Sequence, residues 1–399
     1  MATAVNVRDE VAEWEPELVA TRRDLHMHPE TGFDVERTAG IVADRLRALD
    51  LDAVVTGIGK TGVKGVLKGG RPGKTLLIRA DMDALPIEEE TGLEFRSQNA
   101  GKMHACGHDG HTSILLTTAR ILARRRDEVP GTIVFCFQPA EEGGGGARAM
   151  MADGIMENPT VDASIGLHLW QGFPLNDVVV VTGPTMSGVN GFRVTVQGKG
   201  GHGAEPHTTV DALLVAATIV TNLQVLNSRE VSPLQSVVVT TGTFHAGGTA
   251  GNIIADTATF SGTVRFFDQE VGAFVQERFP QLVESIAGAF RATATVDYRA
   301  GGKPVMNDPH MADIVRAAAA EVVGAEHIKP GPPLMPSEDY SEFTSCVPSC
   351  YYFVGTNNPE AGKIWGHHHP KFDFDERALS ISVEIMVGAA LRYLNENAG

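Results

Sequence analysis

Apolar and polar positions divide the chain into two textures. In the first, continuous apolar runs alternate with amphipathic segments. "KTLLIRA" (74–80), "GTIVFCFQPA" (131–140) and "VDASIGLHLW" (161–170) are apolar without alternation, the signature of strands buried on both faces. Residues 8–50 read as helical, with a clear period in "IVADRLRALDL" (41–51), and "GVKGVLKGG" (62–70) reads as a strand running into a Gly-Gly turn. "HTSILLTTARILARRR" (111–126) predicts a helix whose basic end suits the negative pole of its dipole. "EEGGGGARAMMADGIM" (141–156) predicts a Gly-rich loop opening another helix. Strands alternating with helices indicate an α/β fold around a largely parallel sheet.

After "VTGPTMSGV" (181–189) the texture changes. "NGFRVTVQGKG" (190–200) alternates apolar and polar, as a half-exposed strand does. Then come a helix (210–226), two strands (235–244 and 256–267), a helix (271–290) and a strand (293–301). Strand-helix-strand-strand-helix-strand is the split βαβ pattern, so residues 187–300 are expected to form an inserted ferredoxin-like α/β sandwich. The first domain, residues 1–186, resumes at 301 and runs to 399. A length of 399 residues agrees with two domains.

Hydrophobic content of 43% and charged content of 21% are those of an ordinary globular protein. A formal net charge of −16 argues against nucleic acid or an anionic membrane surface as partner, while leaving room for a small anionic substrate. No uncharged apolar stretch reaches about 18 residues, so no membrane span is expected. The first 18 residues lack a basic region followed by an apolar one, and the four cysteines form no dense framework; together these lead to an expected cytoplasmic location. Cys346 and Cys350 are read as plain thiols.

Chemistry converges at the strand ends. "TLLIRA" leads to Asp81 and Asp83, "TIVFCFQPA" leads to Glu141 and Glu142, and His168 ends "ASIGLH". "MHACGHDGHT" (103–112) places Cys106 and His108 just before a helix. In an open parallel sheet such groups meet beyond the carboxyl ends of the strands. Thiolate, imidazole and carboxylate together form a borderline-soft ligand set. "WGHHHPKF" adds His367, His368 and His369, which could equally be a solvated patch. Neighbouring Glu141 and Glu142 point opposite ways on extended backbone, so one can bind metal while the other acts as a base; a helix start is the plainer alternative.

"RRDLHMHPETGF", "IRADMDALPI", "MHACGHDGH", "FQPAEEGGGGA", "GLH", "GKGGHGAEPH" and "HHPKF", in that order over nearly the whole chain, resemble the dinuclear metallopeptidase-like amidohydrolases. That family includes hippurate hydrolases, N-acyl-amino-acid aminoacylases and auxin-conjugate hydrolases. The resemblance implies a catalytic domain of zinc-aminopeptidase or carboxypeptidase type, with the inserted domain serving as lid and dimerisation module. It implies Cys106, His108, Glu142, His168 and His368 as ligands of two divalent ions per subunit, zinc first, with manganese, cobalt or nickel tolerated. Choosing His368 over its neighbours rests on its spacing to Pro370. Glu141 matches the general base that activates water, and Asp83 an acidic residue supporting the metal centre. Asp81 occupies the place of a histidine ligand in other relatives and is kept out of the ligand set. His202 matches a histidine that stabilises the tetrahedral intermediate, reaching the partner subunit's site. Asn252 and Arg265 match residues that hold the substrate carboxylate or shape its pocket.

The expected activity is therefore metal-dependent hydrolysis of N-acyl-L-amino acids by a homodimer or dimer of dimers. A dipeptidase or carboxypeptidase of the same fold is the nearest alternative. A non-catalytic amino-acid-conjugate binder is the remote one, disfavoured by the intact Glu141. A (β/α)₈ barrel would need eight strand-helix units and no split-βαβ insertion.

Overall fold

The structure, a computed structural model, describes residues 7–398. The first six residues of the stretch read for a leader, and Gly399, lie outside the described residues. The chain forms α1 (Arg8–Met27), α2 (Glu36–Arg47), β1 (Ala53–Ile58), β2 (Gly62–Lys68), β3 (Arg71–Asp81), α3 (His108–Arg124), β4 (Pro130–Gln138), α4 (Gly146–Ala152), β5 (Ala163–Pro174) and β6 (Val178–Val179). Next come β7 (Gly188–Gln197), α5 (Ala212–Asn222), β8 (Val237–Ala246), β9 (Thr257–Phe266), α6 (Gln269–Ala289) and β10 (Thr293–Ala300). The chain then adds α7 (Pro309–Val323), β11 (Ile328–Lys329), β12 (Ser349–Asn357) and α8 (Arg377–Glu396).

Two compact units result. One comprises residues up to Gly183 with Met306–Pro332 and Asp339 onward; the other comprises Pro184–Val305 with Pro333–Glu338. The first unit is built on an eight-stranded sheet in the order β1-β2-β4-β3-β5-β12-β6-β11. Its central strands β4, β3, β5 and β12 are mutually parallel, while β1, β2 and β6 pair antiparallel. This is the mixed, mainly parallel α/β sheet that the continuous apolar runs predict. Eight consecutive residues of β12, from Ser349 to Thr356, are buried, as a central strand covered on both faces requires. Helices α3, α7 and α8 pack on the sheet, and α1 lies over α3 and α8. Their apolar faces form one core that includes Leu18, Leu115, Ile133, Tyr352 and Leu391.

The second unit has a four-stranded antiparallel sheet in the order β8-β9-β7-β10, with α5 and α6 packed together and onto it. Alternate residues of β7 are buried: Asn190, Phe192, Val194 and Val196 face inward with Ile219, Phe260 and Phe279. Asp211 and Asp268 cap the two helices by accepting their free N–H groups.

Two local expectations are corrected. Residues 8–50 are not one helical region: Pro29 and Gly32, at φ +59°, sit in the break between α1 and α2. Helix α3 starts three residues before His111, because Gly107 takes a left-handed φ of +89° just ahead of His108.

Acid should loosen the first unit before neutral or mildly alkaline conditions do. Burial would raise the Asp373 carboxyl, but Arg22 and Lys363 hold it below the usual carboxylate range. Glu89 is treated likewise by burial and by His26, and hydrogen bonds from Arg377 hold Asp375 at about 2. A depressed folded pKa gives stability that is present above about pH 4 and lost as pH falls through the folded value. The urea midpoint is therefore expected to drop between about pH 4.5 and 2.5. A flat midpoint over that window would show that these pairs add nothing.

Candidate metal centre

Parallel strands end their pairing at one edge, and the polar residues begin there. β3 pairs with β4 as far as Asp81 with Gln138, and with β5 only as far as Arg79 with Gly166. Asp83 follows β3, Glu141 and Glu142 follow β4, and His168 lies on the stretch of β5 that outruns β3. Cys106 and His108 flank the left-handed Gly107 at the start of α3. His368, itself at φ +63°, is anchored by its N–H donating to the Ala105 carbonyl at 2.8 Å.

These residues meet. One candidate ligand atom from each of Cys106, His108 and His168 lies within 4.8 Å of the others, and the same holds for Cys106, Glu142 and His368. Two triads sharing Cys106 make the pattern of a two-ion centre. Cys106 Sγ is 3.5 Å from His168 Nε2. His368 Nε2 is 3.2 Å from Glu142 Oε1.

Two of these histidines are oriented from behind. His108 Nδ1 contacts the Asp83 carbonyl at 2.8 Å, and His168 Nδ1 contacts the Leu169 carbonyl at 2.7 Å. A carbonyl can only accept, so both rings carry a proton on Nδ1 and turn Nε2 toward the other ligand atoms. His108 Nε2 is buried with no hydrogen-bond partner. A buried ring nitrogen left without a partner fits a ligand position for a cation. The charges agree with that. Burial lowers His108, but Asp81, Asp83 and Glu142 outweigh it and raise the ring to about 10. Burial, followed by Glu142, Glu141 and Asp81, pushes the Cys106 thiol well up. Burial and neighbouring imidazoles keep His168 neutral. The site is thus a negative pocket that asks for positive charge.

Asp83 acts on the Glu pair through the backbone. Its carboxylate accepts the N–H groups of Glu141, at 3.0 Å, and Glu142, at 3.2 Å. Ala140 turns the chain there at φ +54°, and Gly143 and Gly145 are also left-handed. A Cβ on Gly146 would sit 1.6 Å from the Pro139 carbonyl oxygen. Gly146→Ala should therefore cost about 1–3 kcal/mol and displace the Glu141–Glu142 turn. Lower thermal stability together with a reduced hydrolytic rate is the expected result; unchanged values for both would refute the tight turn.

Several residues of the site were not singled out from sequence. Arg22 is fully buried and donates to Asp109 at 2.9 Å and to Asp373 at 2.8 Å. It thereby joins the segment carrying His108 to the one carrying His368. His26 Nδ1 is 2.8 Å from Asp109 as well. This accounts for "RRDLHMHPETGF", whose residues read as a motif without an assigned partner. Arg79 Nε donates to Gln138 and its guanidinium also pairs with Asp81 at 2.7 Å, both buried. The signal was available: charged residues inside an apolar strand run need a partner to be buried.

In the second unit, His202 pairs in register with Ile253, next to Asn252, whose carbonyl accepts the Gly203 N–H at 2.8 Å. His202 Nδ1 accepts from Ala204 N–H at 3.1 Å, and the residue is exposed. Arg265 is not with them. It lies opposite Val189 near one end of β9, whereas Thr257, opposite Gln197, lies at the end toward His202. Eight residues of extended chain put about 26 Å between the two ends.

Residues 77–392 match peptidase family M20/M25/M40. The chain is 38% identical over 383 residues to an N-acetyl-L-cysteine deacetylase of Bacillus subtilis, covering 96% of this chain and 89% of that one. It is 36% identical over 394 residues to thermostable carboxypeptidase 1 of Saccharolobus solfataricus, covering 98% of each. Among solved structures, the Bacillus subtilis YxeP protein, described as a dinuclear metal-binding peptidase of the M20 family, superposes with a TM-score of 0.84 at 32% identity, over 96% of this chain and 99% of that one.

Proposed function

This chain belongs to peptidase family M20/M25/M40 and is a hydrolase of amide bonds, and from that premise we propose that it cleaves N-acyl-L-amino acids to a carboxylic acid and a free amino acid. The observation that carries the reading is the pair of ligand triads sharing Cys106, beside a second carboxylate, Glu141. Cys106, His108, Glu142, His168 and His368 would hold two divalent ions, with zinc foremost and manganese, cobalt or nickel as rivals. Such ions, when bound, polarise the scissile carbonyl and make water more acidic.

The chain supplies the rest. Glu141 accepts a proton from the attacking water and returns it to the leaving amine. Asp83 holds the turn that aims Glu141. His202 donates a hydrogen bond to the developing oxyanion, and Asn252 and Arg265 hold the substrate carboxylate. The separation of Arg265 from His202 and Asn252 within one copy supports a homodimer in which one copy lends His202 and Asn252 to the other's substrate. No helix among the described residues is long and apolar enough to cross a membrane.

The carboxypeptidase reading keeps a place because of the Saccharolobus relative. Hydrolysis of hippurate and N-acetyl amino acids, set against free dipeptides and longer peptides, separates the two. Chelator-sensitive release of free amino acid from the first group supports the proposal. Turnover of peptides alone would replace it with the carboxypeptidase reading.

A further inference from the structure

"MHACGHDGHT" holds three histidines, and the metal centre uses one. His111 lies close enough to count as a ligand: its candidate atom is within 4.8 Å of those of Asp81 and His108. Its hydrogen bonds say otherwise. The Leu169 N–H donates to His111 Nε2 at 2.9 Å. An amide can only donate, so Nε2 has no proton, and its lone pair is already taken. The proton is on Nδ1, which lies 2.6 Å from Asp81 Oδ1. Both ring nitrogens are spent, and both partners are buried.

The position of Leu169 explains the arrangement. β5 loses its neighbour β3 after Gly166, so the strand that carries His168 runs on with one side unpaired. A buried backbone N–H there must find an acceptor. His111 supplies it, from the first turn of the helix that also carries His108. Asp81 fixes the ring in turn, and is itself held by Arg79 at 2.7 Å. Arg79 also takes Gln138, the last residue of the strand leading to Glu141 and Glu142. Gly110, one position before His111, leaves the space: a Cβ there would come within 2.6 Å of Leu169 Cδ1.

We infer that His111 is a positioning residue, a tether from Asp81 to the Leu169 amide that sets His168 against Cys106 before any ion arrives. The inference rests on the metal-centre reading proposed above. A tether of this kind preorganises ligands drawn from separate segments, and loss of such outer partners typically weakens metal binding by about 10–100-fold.

The test compares His111→Phe, which keeps a ring without hydrogen bonds, with His111→Gln, which offers a donor and an acceptor again. His104→Phe is the control, since His104 is buried in the same decapeptide with neither ring nitrogen bonded. Cobalt(II) affinity is measured by calorimetry, the thiolate-to-cobalt absorption band reports Cys106, and hydrogen exchange of the Leu169 amide is followed in metal-free protein. His111→Phe should bind cobalt about 10–100-fold more weakly, with a diminished thiolate band and fast Leu169 exchange. His111→Gln should recover part of each, and His104→Phe should match the parent. Wild-type affinity and a protected Leu169 amide in His111→Phe would overturn the tether, as would an equal loss in His104→Phe. Should His111→Phe fail to fold, slow exchange in His111→Gln supports the tether and fast exchange refutes it. A parent protein that binds no cobalt would sink the metal reading alone, because Leu169 exchange still reads the tether.

Discussion

Glu141→Gln is expected to keep its fold and its ions while turnover of an N-acyl amino acid falls by about 10²–10⁴-fold. The backbone at this position is held independently of the side-chain charge: Asp83 accepts both N–H groups of the Glu pair, and Ala140 sets the turn. Gln has the shape of Glu and lacks its basicity, so the substitution removes proton transfer with little else. The loss should fall on kcat, with KM within a few-fold, because a base acts in the transition state and not in binding. Rate measurements paired with metal analysis decide the matter. Activity within a few-fold of the parent would remove Glu141 as base. Loss of ions would instead move it into the ligand set, since Glu141 also lies within 4.8 Å of candidate atoms of His108 and Glu142.

Cys106→Ala should have a larger effect still. Cys106 is the one residue common to both triads, so its removal strikes both ion positions at once. Metal content should fall and hydrolysis should drop to background, without recovery when metal is resupplied. Cys136→Ala, at a buried cysteine outside both triads, should retain both. A pH signature accompanies this. Burial and neighbouring carboxylates raise the thiol, so it is protonated at neutral pH and must give up that proton to a cation. Metal affinity of the parent should therefore rise with pH, by up to about tenfold per unit for each proton released, and the slope should flatten in Cys106→Ala. Full metal content and activity in the variant would refute the ligand set.

Much of this was legible along the chain. The apolar runs of β3, β4 and β5 and the alternation in β7 carry the fold class, because burial on two faces or one is written directly into residue order. The ligand-bearing segments were legible for a related reason: the ends of buried parallel strands converge. What escaped was pairing over long separations. Arg22 with Asp109, Asp81 with His111, and Arg79 with Gln138 depend on which faces meet, and composition is silent on that. The true start of α3 escaped because Gly107 uses a left-handed conformation that periodicity does not report. Pro333–Glu338 joins the second unit although it follows α7 and β11 in sequence, and nothing in its composition signals that return.

The strand order has a consequence for how the protein is made. β12 lies between β5 and β6, and α8 packs on β3 and β12, yet both come from the last part of the chain. During translation the interrupting segment, Pro184–Val305, has been synthesised in full while β5 still shows an open, apolar edge. That edge is covered only once synthesis has passed Ser349, and a waiting edge of this kind invites pairing with another nascent chain. The first unit should thus depend on chaperones to bridge the wait. Chains that terminate before β12 should yield aggregates, from which the split-βαβ segment is the part expected to survive limited proteolysis.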